Sequence, residues 1–192
     1  MRIGVLAAQG AFIEHIHALN RLKIDAIEVR LPHDMEGIKG LIIPGGESTT
    51  ISKLILDYNL SDGIREMGEG GLAIWGTCAG MIMLAKNLVD GNGVQPLKLM
   101  DITVRRNAFG RQVESFETEL SISVLGDGPF HGVFIRAPLI EQIGHGVDVL
   151  ARLENGTIVA AKQNNILVTS FHPELTEDLR FHQYFIDIAA KK

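Results

Sequence analysis

The sequence predicts an α/β protein, one domain over residues 1–192, with an open, mostly parallel, twisted sheet, helices on both faces and antiparallel strands added to it. Three observations predict this. Up to about residue 89, short apolar runs alternate with segments of helical period, the pattern of strand–helix units packed as a parallel sheet covered on both faces. From Leu99 onward, strand-like runs follow one another across turn residues with no helix between them, which suits antiparallel ribbons or a mixed sheet. Finally, 192 residues with 46% hydrophobic and 21% charged content are enough to bury a full core and too apolar for a disordered chain.

Residues 3–7 form the first apolar run, and Gln9-Gly10 turns it into a helix in which Phe12, Ile16 and Leu19 recur at helical spacing. Glu14 and Asn20 then face outward. His15 and His17, two apart, cannot share a helix face; they make a poor metal pair and are expected at the surface. Residues 25–29 are a second strand. Leu41-Ile42-Ile43 is a third, ending in Pro44-Gly45-Gly46-Glu47-Ser48-Thr49-Thr50. This loop lacks the lysine of a phosphate cradle and carries a glutamate that would repel phosphate. Two readings stay open: Gly45 and Gly46 bring backbone amides close to an oxyanion, or the loop is a helix entry with Ser48 or Thr49 capping a helix through Tyr58. A polar helix is expected over 61–69.

The stretch Gly71-Leu72-Ala73-Ile74-Trp75-Gly76-Thr77-Cys78-Ala79-Gly80-Met81-Ile82-Met83-Leu84 reads as a buried strand, a tight turn and a helix continuing to about Val89. Gly76-x-Cys78-x-Gly80 is the cysteine form of a nucleophile elbow, in which a strained strand-to-helix turn lifts one side chain above the sheet. A cysteine in the first turn of a helix meets unpaired N–H groups and the positive end of the dipole, which favour thiolate. The N–H of Ala79 would then face an oxyanion during acyl transfer. The competing reading is a buried structural cysteine at a helix start.

Beyond the elbow, strands are expected at 101–104, 117–122, 133–135, 147–153, 157–162 and 166–169, and a closing helix over 178–190 with Leu179, Phe185, Ile186 and Ala189 on its buried stripe. A catalytic thiol needs a base, and the base needs an orienting group. Of seven histidines only His172 ends a good strand, in Ser170-Phe171-His172-Pro173-Glu174. In an open parallel sheet, ligands gather beyond the carboxyl ends of the strands, where Cys78 is also expected. Residues two apart in an extended segment point the same way, so Glu174 can hold one imidazole nitrogen while the other faces the thiol. His131, His145 and His182 lie in no comparable arrangement. Arg105, Arg106, Arg111 and Arg136 place guanidinium groups in turns beside strands, where they can fork onto a carboxylate or simply be solvated.

A net charge of −5 gives no footprint for nucleic acid or an anionic membrane. The single cysteine allows no internal disulfide and points to a reducing, cytoplasmic setting. The first apolar run is too short for a signal peptide, and no run reaches membrane-spanning length. With one cysteine and no clustered histidines, no metal or other cofactor is expected.

Gly76-Thr77-Cys78-Ala79-Gly80 together with His172-x-Glu174 resembles the class I (triad) glutamine amidotransferases. A more particular set resembles the PdxT family, the glutaminase subunits of pyridoxal 5'-phosphate synthase: Ala8-Gln9-Gly10, Pro44 through Thr49, Arg106-Asn107-x-Phe109-Gly110-Arg111-Gln112-x-Glu114-Ser115-Phe116 and Phe134-Ile135-Arg136-Ala137-Pro138. The likeness covers essentially the whole chain. It implies Cys78 as nucleophile, His172 and Glu174 as its relay, and L-glutamine held by Gly46, Glu47, Ser48, Arg106, Ile135 and Arg136. It places Gln9 near the oxyanion region, facing a partner. That partner is implied to be the barrel-shaped synthase subunit, which would consume the ammonia. A glutaminase serving another synthase, such as the imidazole glycerol phosphate one, a cysteine hydrolase or peptidase on a similar sheet, and a catalytically silent regulatory module are the rival readings.

Overall fold

The computed structural model describes residues 1–106 and 115–191; the motif residues from Asn107 to Glu114 lie outside them. Strands β1 (Arg2–Leu6), β2 (Asp25–Val29), β3 (Gly40–Ile43) and β4 (Ala73–Thr77) alternate with helices α1 (Phe12–Arg21), α2 (Ser48–Asp57) and α3 (Ser61–Glu69). Helix α4 (Ala79–Leu84) leaves β4 through the single residue Cys78. Strands β5 (Ala85–Leu88), β6 (Met100–Arg105), β7 (Ser115–Leu120), β8 (Phe130–Ile135), β9 (Leu139–Ile143), β10 (Asp148–Arg152), β11 (Ile158–Gln163) and β12 (Ile166–Thr169) follow, and α5 (Arg180–Ala190) closes the chain.

The main sheet runs β2-β1-β3-β4-β12-β11-β9-β6-β5, with β10 on β11; β7 and β8 form a separate antiparallel ribbon. From β2 to β12 every pairing is parallel, and antiparallel pairing begins at β12–β11. The predicted parallel core with antiparallel additions is therefore observed.

Alternation along the strands sends side chains to two cores. Leu41 and Ile43 of β3, Ile74 of β4 and Ile166 and Val168 of β12 pack with Ile51, Ile55 and Ile64 of α2 and α3. Ile42, Trp75 and Leu167 point to the opposite face, onto Leu19 of α1 and Phe181 and Phe185 of α5. Period-2 strands buried on both faces read as continuous apolar runs, which is why this half of the chain was legible.

Four expectations need correction. The elbow helix stops at Leu84 instead of reaching Val89, and 85–88 is a strand paired in parallel with β6. Met81 to Leu84 are buried, so no polar face marks where the helix ends. Strand β9 was not expected because only Ile140 of its five residues is buried, leaving no alternation to read. The cap of α2 is Glu47, whose carboxylate accepts hydrogen bonds from the N–H groups of Thr49 and Thr50, rather than Ser48 or Thr49. His15 is fully buried, although His17 is exposed as expected.

Candidate active site

The strand order β3-β4-β12 brings three chain segments to one rim of the sheet. Ile43 pairs with Gly76, and Thr77 with Thr169, so the segments leaving these strands begin level with one another. They carry Gly45, Cys78 and His172.

Cys78 has φ 49° and ψ −106°, a left-handed conformation that few side chains adopt without strain. It is held there by its N–H donating to Thr169 O (2.8 Å) and its C=O accepting from Met81 N (3.1 Å). The turn closes only because its neighbours lack side chains: a Cβ on Gly80 would stand 1.9 Å from Ile43 O, and one on Gly76 2.4 Å from the carbonyl carbon of Gly80. The Cys78 Sγ lies 3.8 Å from the carbonyl oxygen of Ile135 and faces a cavity.

His172 is fixed by its N–H donating to Val133 O of β8 (2.9 Å), and Phe171 before it packs against Phe130 and Phe134 of the ribbon. Its ring Nδ1 is 2.7 Å from Glu174 Oε1. Burial works against a charged ring here, but hydrogen bonds with Cys78 and Glu174, and the charge of the carboxylate, raise His172 from 6.5 to about 10. The imidazole therefore carries the proton near neutral pH. Gly45 faces this pair; a Cβ on it would be 2.4 Å from His172 Cε1 and 3.1 Å from Cys78 Cβ.

The cavity beside Cys78 measures about 280 Å³. Gly46, Glu47 and Ser48 line one side, Arg106, Ile135 and Arg136 another, and Cys78, Ala79 and His172 border it; Gln9 reaches its edge. Gly46, Glu47, Ser48, Arg106, Ile135 and Arg136, the residues the resemblance implied for substrate contact, thus border one hollow, with Glu174 behind His172. Ile82 and Pro138 also line it and were not foreseen, since an apolar residue in a helix or turn carries no chemical signature. A larger groove of about 540 Å³ runs beside α2, but neither a cysteine nor a histidine is among the residues that line it.

Within the hollow the groups divide their work. The Glu47 carboxylate also accepts from the Thr50 hydroxyl (2.8 Å), and the Thr49 hydroxyl bond, offset in part by burial, holds it down at about 2. It is a permanent anion spent on the start of α2, 3.9 Å from Arg106 Nη2. Gln9 Oε1 accepts from Glu47 N (2.8 Å), so this half-buried side chain braces the loop. One oxyanion expectation is corrected: the N–H of Gly45 donates to Thr77 Oγ1 (3.0 Å) and is already engaged. The N–H groups of Ala79 and Gly46 have no hydrogen-bond partner among the described residues. Arg105 pairs with Glu141 and Asp90, away from the hollow; Arg111 lies outside the described residues. No group of three or more metal-ligating side chains occurs among the described residues.

A parallel sheet with a glycine-flanked cysteine elbow at its rim and a His–Glu pair on the next strand is the architecture of the triad glutamine amidotransferases. The chain belongs to the SNO glutamine amidotransferase family, whose model matches residues 5–191. It is 57% identical over 190 residues to a protein of Dehalococcoides mccartyi named pyridoxal 5'-phosphate synthase subunit PdxT, covering 98% of this chain and 97% of that one. A protein of the same name from Herpetosiphon aurantiacus is 55% identical, covering 98% and 100%. A crystal structure described as a glutamine amidotransferase superposes with a TM-score of 0.92 at 53% identity, covering 98% of both chains. The chain is accordingly an enzyme of the glutamine amidotransferase type. Among the described residues no helix is long and apolar enough to cross a membrane.

Proposed function

We propose that this chain is the glutaminase subunit of a pyridoxal 5'-phosphate synthase, and that Cys78, His172 and Glu174 hydrolyse L-glutamine to L-glutamate and ammonia. The observation that carries the reading is the shared hollow, with Cys78 and His172 on its wall and the His172 Nδ1 to Glu174 contact of 2.7 Å behind them.

Glutamine enters with its α-carboxylate toward the guanidinium groups of Arg106 and Arg136 and its amide toward Cys78. With the proton of the Cys–His pair on the imidazole, the sulfur attacks the amide carbon, forming a C–S bond and a tetrahedral oxyanion. The free N–H groups of Ala79 and Gly46 face that oxygen, each worth about 3 kcal/mol of barrier. His172 hands its proton to the amide nitrogen, the C–N bond breaks, and ammonia leaves. Water, deprotonated by the now neutral imidazole, adds to the thioester; glutamate departs and the sulfur regains its place beside the imidazolium. Glu174 keeps Nδ1 protonated throughout, so that Nε2 does the proton transfer.

Ammonia that escapes becomes ammonium, so its consumer has to dock over the hollow. A barrel-shaped synthase subunit fits this role, and a reducing cytoplasm suits an essential thiol. The test is glutamate release from glutamine with and without the synthase subunit. Wild type should turn over fastest in the complex, and Cys78→Ser should release none above background; unaltered turnover in Cys78→Ser overturns the reading.

A further inference from the structure

Behind the catalytic rim lies a chain of buried polar groups that the mechanism above does not use. His15 of α1 and His182 of α5 are both fully buried, from opposite ends of the sequence. His15 Nδ1 is 3.0 Å from His182 Nε2. On its other side, His15 Nε2 is 3.3 Å from Thr77 Oγ1 and 3.4 Å from Glu174 Oε2. Both rings are walled by Trp75, whose centroid lies 5.4 Å from His15 and 5.1 Å from His182. A pair of imidazoles in an aromatic core is an expensive way to fill space, because each buries two polar nitrogens.

The proton positions follow from the partners. His182 Nδ1 has no hydrogen-bond partner among the described residues. A buried N–H left without an acceptor is the rarest kind of orphan, so the single proton of neutral His182 belongs on Nε2, facing His15. His15 Nδ1 must then accept it, which leaves the proton of His15 on Nε2, toward Thr77 Oγ1, with Glu174 Oε2 beside it. The opposite assignment fails twice: it strands an N–H on His182, and it sets the lone pair of His15 Nε2 against a carboxylate oxygen. Burial first of all, and then the neighbouring His182 and His172, hold His15 well below its usual pKa, and burial holds His182 at about 4, so both rings are neutral donors and acceptors near neutral pH.

Glu174 Oε2 is buried with no hydrogen-bond partner among the described residues. His15 Nε2 lies 3.4 Å from this oxygen, a close polar contact rather than a formed hydrogen bond. Thr77, the second acceptor of His15, is the same hydroxyl that receives the N–H of Gly45. One imidazole therefore touches both the carboxylate that orients His172 and the hydroxyl that fixes the loop carrying Gly45 and Gly46.

We propose that His15 is a positioning residue of this active site: from a tautomer set by His182, its Nε2–H bonds Thr77 and lies against the free oxygen of Glu174, tying the triad to the oxyanion loop. The inference rests on the proposed role of Cys78, His172 and Glu174 and adds two histidines that act only through other groups. It predicts an effect on the chemical step rather than on glutamine binding, because neither ring borders the hollow.

The test uses the full chain assembled with a pyridoxal 5'-phosphate synthase partner subunit, reading glutamate release. His15→Phe keeps a planar ring and removes the donor; kcat should fall about tenfold or more, the size of leaving buried polar groups unpaired beside the triad, with KM within about twofold. His15→Gln offers an N–H at a similar reach and should recover most of the loss, which a purely space-filling role would not allow. Unchanged kcat in His15→Phe, or an equal loss in His15→Gln, overturns the proposal. A second measurement needs no variant: ring nitrogen NMR of the wild-type chain should show protonated Nε2 and bare Nδ1 on both His15 and His182, and a His15 protonated at Nδ1 overturns it. A wild-type complex that releases no glutamate would instead sink the proposed function, while the tautomer measurement would still decide the role of His15.

Discussion

Two regions of this molecule carry the same chemical pairing and differ in everything around it. At the sheet rim, His172 Nδ1 lies 2.7 Å from Glu174 Oε1. On the outer ribbon, His131 lies 2.7 Å from Glu119 and 2.8 Å from Glu117, across the register of β7 and β8. Both imidazoles are raised in pKa, His131 chiefly by its hydrogen bond with Glu119. His131 is open to solvent, faces no nucleophile and borders no cavity described here, so its charge is screened and its geometry loosely held. His172 is 7% exposed, locked by a backbone bond to β8, and shares a hollow with Cys78. A carboxylate beside a histidine is therefore a cheap surface motif. What turns it into a relay is removal from water, a fixed backbone and a thiol on the neighbouring strand.

The widest separation between the two regions should appear in turnover. Replacing His172 with Asn is expected to lower glutamate release by roughly a thousandfold or more, since proton transfer to the leaving group and support of the thiolate go together. His131→Asn should stay within about twofold of wild type in the same assay. A comparable loss in both would mean that the ribbon histidine takes part in catalysis and that the contrast drawn above is false.

A smaller effect concerns stability in acid. His182 is held at about 4, so between about 6.5 and 4 the unfolded chain binds a proton that the folded chain refuses; stability is fully present above 6.5 and falls as the pH drops through that window. The single ring accounts for roughly 3 kcal/mol across it, and His15 shifts in the same direction. The raised His131 works the other way, lending stability below 6.5 that fades as pH rises past its raised value, but so exposed a pair should add almost nothing. Denaturant unfolding from pH 7 to pH 4 should show a steep loss in wild type, a shallower one in His182→Phe, and no change of slope in His131→Asn. A flat wild-type profile would show that the buried imidazoles are not the neutral pair described.

The contrast also explains what could be read from the chain in advance. Cys78 stood out because a glycine on either side of a cysteine after an apolar run has few other uses, and His172 with Glu174 because both follow a strand at a spacing of two. Those are local signals. His15 reads from its neighbours as a surface residue and His182 as an unattached one, although each sits on the apolar stripe of its helix: His15 is three after Phe12 and four before Leu19, and His182 is three before Phe185 and four before Ile186. The spacing held the information, and the polar identity of histidine hid it. Their meeting across 167 positions is a tertiary event that no local pattern records. Strand β9 and the early end of α4 escaped for the opposite reason, an absence of contrast between faces.

The central claim is that the thiol of Cys78 is the nucleophile for a glutamine amide, activated by His172. Its most direct test is covalent trapping of the complex with a glutamine analogue that bears an electrophilic carbon at the amide position, followed by peptide mapping. The account predicts one adduct per chain, on the peptide containing Cys78, none in Cys78→Ala, and much slower labelling in His172→Asn. An adduct on any other residue, or undiminished labelling of Cys78→Ala, would contradict it.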